Sequence, residues 1–132
     1  MNNAKTILVV EDERSLLEAI KLKLVESGFN AVTARSVEQA LSLLRSTPHI
    51  DAIWLDHYVL GGESGLDLVS RLKSEGADWV NIPIFVVSNT ASNEKVTAYM
   101  QLGVNKYYIK SNYRLDQIIA EIQDELNYGK NQ

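Results

Sequence analysis

The chain contains no cysteine, which excludes both a disulfide framework and a thiolate metal site. It has only two prolines, Pro48 and Pro83, and no linker, internal repeat or low-complexity tract. It lacks a positive charge excess: 13 Lys and Arg stand against 17 Asp and Glu, for a net charge of -4. The basic residues are dispersed, with no basic stripe or recognition helix, which argues against direct binding to nucleic acid. No apolar stretch approaches the length of a membrane span, and no signal-peptide core precedes the first apolar run. These absences predict a soluble, cytoplasmic protein with no membrane partner.

What remains is ordinary globular composition, 45% hydrophobic and 23% charged over 132 residues. That length predicts one domain over 1–132, with a core from about 5 to 127, able to bury about two-thirds of its unfolded surface. Residues 129–132 read as a frayed end, either a terminus or the start of a linker.

Short runs rich in Val, Ile, Thr and aromatics predict strands at about 6–10, 30–34, 51–56, 83–88 and 106–109. Between them, apolar residues recur at helical spacing: Leu16, Leu17, Ile20 and Leu24; Val37, Leu41 and Leu44; Leu68 and Leu72; Val96 and Met100; then Leu115, Ile118, Ile119, Ile122 and Leu126. Ser36 and Asn112 are placed as helix N-caps, Gly28 and Gly103 as helix C-terminal glycines. Pro83 opens a strand, where proline is tolerated. Five βα units with short connections predict an α/β fold: a doubly wound, five-stranded parallel sheet, flavodoxin-like with strand order 2-1-3-4-5 and helices on both faces. Ligands in such sheets bind at the carboxyl ends of the strands, where the order reverses.

Chemistry-bearing residues gather at that edge. The first strand ends in Glu11 and Asp12, the third in Asp56, the fourth in Ser88 and the fifth in Lys110. Two carboxylates about 4 Å apart repel by about 4 kcal/mol at an effective dielectric near 20, so a hard divalent cation with oxygen ligands is the natural counterweight. The set suits a phosphoryl group carried on a carboxylate. Asp56 is the candidate nucleophile, and Asp12, helped by Glu11, the candidate holder of Mg2+. Ser88 would donate to a phosphoryl oxygen, and Lys110 would pair with carboxylate or phosphate. Each residue alone has a plainer reading. The acids at 11–13 precede a helix, whose positive dipole end favours them. Asp56 alone suits a loop-entry cap, Ser88 a polar strand end and Lys110 a solvated lysine. Their common register is what favours a site.

With these residues in place, the chain resembles the receiver domain of two-component response regulators. The matching segments run from Ile7 through Val10 to Glu11, Asp12 and Glu13; from Ile53 to Asp56; from Ile84 to Ser88; and from Gly103 to Lys110. The resemblance implies Asp56 as phosphoacceptor, with Ser88 and Lys110 assisting. It implies Glu11, Asp12, Asp56 and the backbone carbonyl of Tyr58 as the Mg2+ site. Ser88 would be the switch hydroxyl and Tyr107 the switch aromatic. Phosphorylation would alter the surface of the fourth helix, fifth strand and fifth helix by biasing a two-state loop. The implied partners are a histidine kinase or phosphotransfer protein, a downstream protein or fused output domain, and a second copy through the fourth helix, fifth strand and fifth helix.

The chain departs from the family pattern at three places. Leu60 stands where proline is usual, in a loop (residues 61–65) one residue longer than the common form and expected to be more mobile. Asn89 stands where a small residue is usual, and could narrow access to Asp56. Ser111 replaces a proline joined by a cis bond; a non-proline cis bond costs about 3 kcal/mol, so a trans bond is expected. Tyr58 is bulky and would slow attacking water. His57 should point away from Asp56 by strand alternation and is read as incidental, and His49 as part of a surface turn. Tyr99, Tyr107, Tyr108, Tyr113 and Tyr128 fall in the last third and are candidate interface residues. Two other functions compete. One is a phosphorylation-independent interaction module on the same fold, supported by the three departures. The other is a phosphohydrolase with an aspartate nucleophile, disfavoured because Tyr58 stands where a second aspartate is needed.

Overall fold

The three central strands consist of residues that suit burial on both sides. In the computed structural model, which describes residues 4–75, 78–90 and 92–128, residues 7–10, 52–55 and 84–88 are all buried, as parallel strands between two helical layers require. The elements run β1 (Thr6–Val10), α1 (Arg14–Glu26), β2 (Asn30–Ala34), α2 (Val37–Ser46), β3 (Ala52–Leu55), α3 (Gly65–Glu75), β4 (Ile84–Ser88), α4 (Asn93–Gln101), β5 (Lys106–Ile109), a 3-10 turn (Lys110–Asn112) and α5 (Leu115–Glu125). The sheet order is β2-β1-β3-β4-β5, with every pairing parallel. This is the predicted doubly wound α/β sheet. The 129–132 segment lies outside the described residues. No helix among the described residues is long and apolar enough to cross a membrane.

Period-two alternation sorts the strand residues into two cores. Leu8, Val10, Ile53, Leu55, Ile84 and Val86 face α2, α3 and α4. Ile7, Val9, Trp54, Phe85 and Val87 face α1 and α5. Register then aligns the carboxyl ends: Val10 lies beside Leu55 and Ser88 beside Ile109.

Helix ends follow local chemistry. The Ser36 side chain accepts from Gln39 N at 3.1 Å, as expected of an N-cap. Gly28 and Gly103 adopt φ of +95° and +91°, a region costly for other residues. Asn112 is not the cap of α5. It belongs to the 3-10 turn, and α5 starts after Arg114, whose N–H donates to the Gln117 side chain at 2.7 Å. The third strand is one residue shorter at each end than predicted. Asp51 accepts from Thr6 N at 2.8 Å, and Asp56 lies just past the strand end.

The tyrosines divide. Tyr99 and Tyr108 are fully buried core residues, so they are not available to an interface. Tyr107 is half-buried and Tyr113 exposed. In α4 it is Tyr99 that faces the core, while Met100 is 47% exposed. A stripe drawn through Val96 and Met100 is thus off by one position.

Candidate functional site

Two backbone hydrogen bonds place the acids. Glu11 N donates to Ala34 O at 3.0 Å, and Asp56 N donates to Val10 O at 2.9 Å. Both residues are thereby held just beyond the ends of adjacent strands, at the point where the strand order reverses. Carboxylate oxygens of Glu11, Asp12 and Asp56 lie within 4.8 Å of one another. Glu11, Asp56 and Ser88 are buried, and Asp12 is half-buried. Lys110 Nζ stands 3.0 Å from Glu11 Oε1 and 3.6 Å from Asp56 Oδ2. Five sequence-predicted residues, Glu11, Asp12, Asp56, Ser88 and Lys110, thus share one edge, and the first three with Lys110 form one cluster.

The cluster is electrostatically unbalanced, with three carboxylates facing one ammonium. Burial pushes the Asp56 carboxyl up to about 6, and the Glu11 charge adds to it. Lys110 and a hydrogen bond from the Tyr58 backbone oppose the rise, and Asp12 reinforces it. Ionising Asp56 therefore costs more than ionising a free carboxyl, and another cation would offset that cost. Three oxygen donors this close suit a hard divalent ion such as Mg2+, and nothing in the set favours a soft one.

Around this cluster lies a ring of contacts that sequence reading missed. Lys95, in the first turn of α4, donates to Tyr58 Oη at 2.9 Å and to Thr90 Oγ1 at 2.6 Å. Its Nζ sits 4.6 Å from the Tyr58 ring centroid. The hydrogen bond from Lys95 holds the Tyr58 phenol below its ordinary value. Tyr107 Oη donates to Thr90 O at 2.5 Å, so the aromatic is tied to the loop that follows Ser88. His57, read from sequence as incidental to the chemistry, has a structural partner. Its Nδ1 lies 2.6 Å from the hydroxyl of buried Tyr99, with the two rings edge to face. A side chain at Gly65 would meet this bond: an added Cβ would fall 2.7 Å from Tyr99 Oη and 2.8 Å from Asp56 O. No sequence pattern announces these contacts. They join residues 37 and 42 positions apart.

The departures from the family pattern have structural counterparts. Leu60 N donates to Arg35 O at 2.9 Å, a bond proline could not make. Asn89 is exposed beside the site. The bond between Lys110 and Ser111 is trans, since no cis peptide occurs among the described residues. His49 is exposed and contacts Asp51 at 2.8 Å.

A doubly wound sheet with an acid cluster and a lysine at its switch point defines a class of α/β modules built to handle charge at one edge. Comparison with known proteins narrows the class. The sequence model of the response regulator receiver domain matches residues 7–123, and the chain belongs to that family, a family of signalling domains. It is 32% identical over 120 residues to the phosphate regulon transcriptional regulatory protein PhoB of Klebsiella pneumoniae, covering 91% of this chain and 51% of that protein. The chain spans about half the length of the curated relatives it matches. Among solved structures, a response regulator receiver protein from Pseudomonas putida superposes with a TM-score of 0.84 at 27% identity, covering 94% of this chain and 99% of that one. The phosphorylated cyanobacterial phytochrome response regulator RcpA gives 0.83 at 25% identity, with 97% of each chain covered.

Proposed function

We propose that this chain is a single receiver domain serving as the phosphoacceptor of a two-component or phosphorelay system. The observation that carries the reading is the buried Asp56 carboxylate, set among Glu11, Asp12 and Lys110 with donor atoms a few ångströms apart. Asp56 attacks the phosphorus of a phosphohistidine on a histidine kinase or phosphotransfer protein. The new bond is oxygen to phosphorus, the phosphorus–nitrogen bond breaks, and the imidazole leaves with a proton. Glu11, Asp12, Asp56 and the carbonyl of Tyr58 would hold Mg2+. When bound, this ion neutralises phosphoryl oxygens and lets the carboxylates coexist. Lys110 pairs with a phosphoryl oxygen, as it now pairs with Glu11 and Asp56. Ser88 donates its hydroxyl to another.

The same reading makes Ser88 and Tyr107 a switch. Movement of Ser88 toward the phosphoryl group pulls the following loop, to which Tyr107 is bonded through Thr90. The outer surface of α4, β5 and α5 changes as a result. That surface would be read by a downstream protein, a fused output domain or a second copy of the chain. Tyr58, bulky and bonded to Lys95, would slow attacking water and lengthen the life of the acyl phosphate.

The test is mass spectrometry after incubation with Mg2+ and a small acyl-phosphate donor. Wild type should gain one phosphoryl group, and Asp56→Asn none. Wild type left unmodified at saturating donor defeats the proposal. Partner binding that ignores Asp56→Asn would instead favour the phosphorylation-independent interaction module.

A further inference from the structure

On the α1 and α5 side of the sheet lies a cavity of about 360 Å3, within the range of small-molecule sites. Its walls are apolar, with Ile20 of α1, Val87 of β4, and Leu115 and Ile118 of α5. Trp54 of β3 lines it too. Trp54 is completely buried, and its indole Nε1 has no hydrogen-bond partner among the described residues. It is the one buried side-chain polar atom among them left in that state. Native folds seldom leave a buried donor unanswered.

The remaining polar side chains on the cavity are Lys110, Arg114 and Tyr113. An ammonium and a guanidinium only donate, and Tyr113 adds a hydroxyl. Lys110 has three donors and contacts Glu11 and Asp56. Arg114 touches Asp116 at 3.3 Å through Nε, in a pair that is mostly exposed and so easily exchanged. A complementary ligand therefore has an apolar body and acceptor oxygens, and its charge, if any, is negative.

We propose that this cavity binds a small hydrophobic carboxylate, its body packed beside Trp54 between α1 and α5 and its oxygens served by Lys110 and Arg114. The site is separate from the acid cluster but shares Lys110 with it. An occupant would draw on the same ammonium that faces Asp56, giving a metabolite a route to the phosphoacceptor. Binding itself does not depend on the phosphoacceptor reading.

The test follows the Trp54 indole N–H by 1H–15N NMR in a Trp79→Phe background, which leaves a single indole. The probe is 3-phenylpropanoate, with 3-phenylpropan-1-ol as the uncharged control. The carboxylate should shift the Trp54 resonance saturably, with half-saturation near about 1 mM or below, as fits a ligand of its size. The alcohol should bind about fivefold more weakly, and Arg114→Ala should weaken carboxylate binding by a similar factor. Leu115→Phe and Ile118→Phe place extra volume in the cavity and should abolish the response. Leu115 is only half-buried, so its variant keeps the test open if Ile118→Phe fails to fold. No saturable shift up to about 20 mM probe, far above the range expected for a fitting site, overturns the proposal. So does equal binding of acid and alcohol, or full binding in a folded cavity-filled variant.

Discussion

Strand β5 begins in one lysine and is followed directly by another, and each lysine contacts a glutamate at 3.0 Å. Lys106 meets Glu121 in the open, with side chains 55% and 38% exposed. Lys110 meets Glu11 with 17% and 1% exposed. Equal distances conceal different physics. The outer pair competes with water and salt, so it contributes about 0–1 kcal/mol. The inner pair has lost most of its hydration, so removing one partner strands charge in a poor solvent. The outer pair decorates the fold. The inner pair belongs to a cluster, because two further carboxylates lie within 4.8 Å of Glu11.

The comparison breaks most visibly at Lys110. Lys110→Met should destabilise the protein by about 3 kcal/mol near neutral pH, as urea unfolding would show. It should also drive the Asp56 carboxyl above its present value of about 6, since Lys110 holds it down; carboxyl 13C titration reads this directly. Millimolar Mg2+ should recover part of the lost stability by binding the folded cluster.

A change of opposite sign comes next. The Asp56 value lies above the ordinary 3.8, so the folded protein binds this proton more tightly than the unfolded chain does. That contribution is complete below about pH 4 and is lost as pH rises through about 6. Asp56→Asn removes the penalty and should stabilise the metal-free protein by about 1–2 kcal/mol at pH 7.5, with little gain at pH 4. An unchanged difference between the two pH values, in paired denaturant curves, would refute the assignment.

Smaller effects sharpen the outer half. Tyr108 donates to Glu121 Oε1 at 2.6 Å from a buried ring, so Tyr108→Phe should cost about 1 kcal/mol. Lys106→Ala should cost about 0.5 kcal/mol or less, and that difference should vanish in about 1 M salt. Thermal unfolding at two ionic strengths separates the two variants.

Much of this was legible before any coordinates. Apolar runs of four or five residues, rich in Val, Ile and Leu and separated by helical stripes, dictate alternating strands and helices. Short connections then leave few topologies open. Because parallel strands share a direction, residues 11, 12, 56, 88 and 110 had to meet at one edge. The misreadings have a common origin. Met100 and Tyr99 are adjacent, and helical periodicity cannot separate two neighbours when both are large and apolar. Asn112 has good capping chemistry, but the chain takes a 3-10 turn first, and the Gln117 side chain meets the Arg114 N–H instead. Strand alternation pointed His57 away from Asp56, but alternation cannot name the partner it meets, Tyr99 of α4.

Local sequence, then, determined the elements, their order and the convergence of the acids, because period and strand direction are properties of neighbouring residues. Tertiary structure alone decided that Tyr99 would reach His57, that Lys95 would bridge Tyr58 and Thr90, and that Trp54 would line a cavity with its N–H unanswered. Those outcomes depend on how helices settle against the sheet, to within an ångström or so, and packing at that scale is set by the whole core rather than by any one segment.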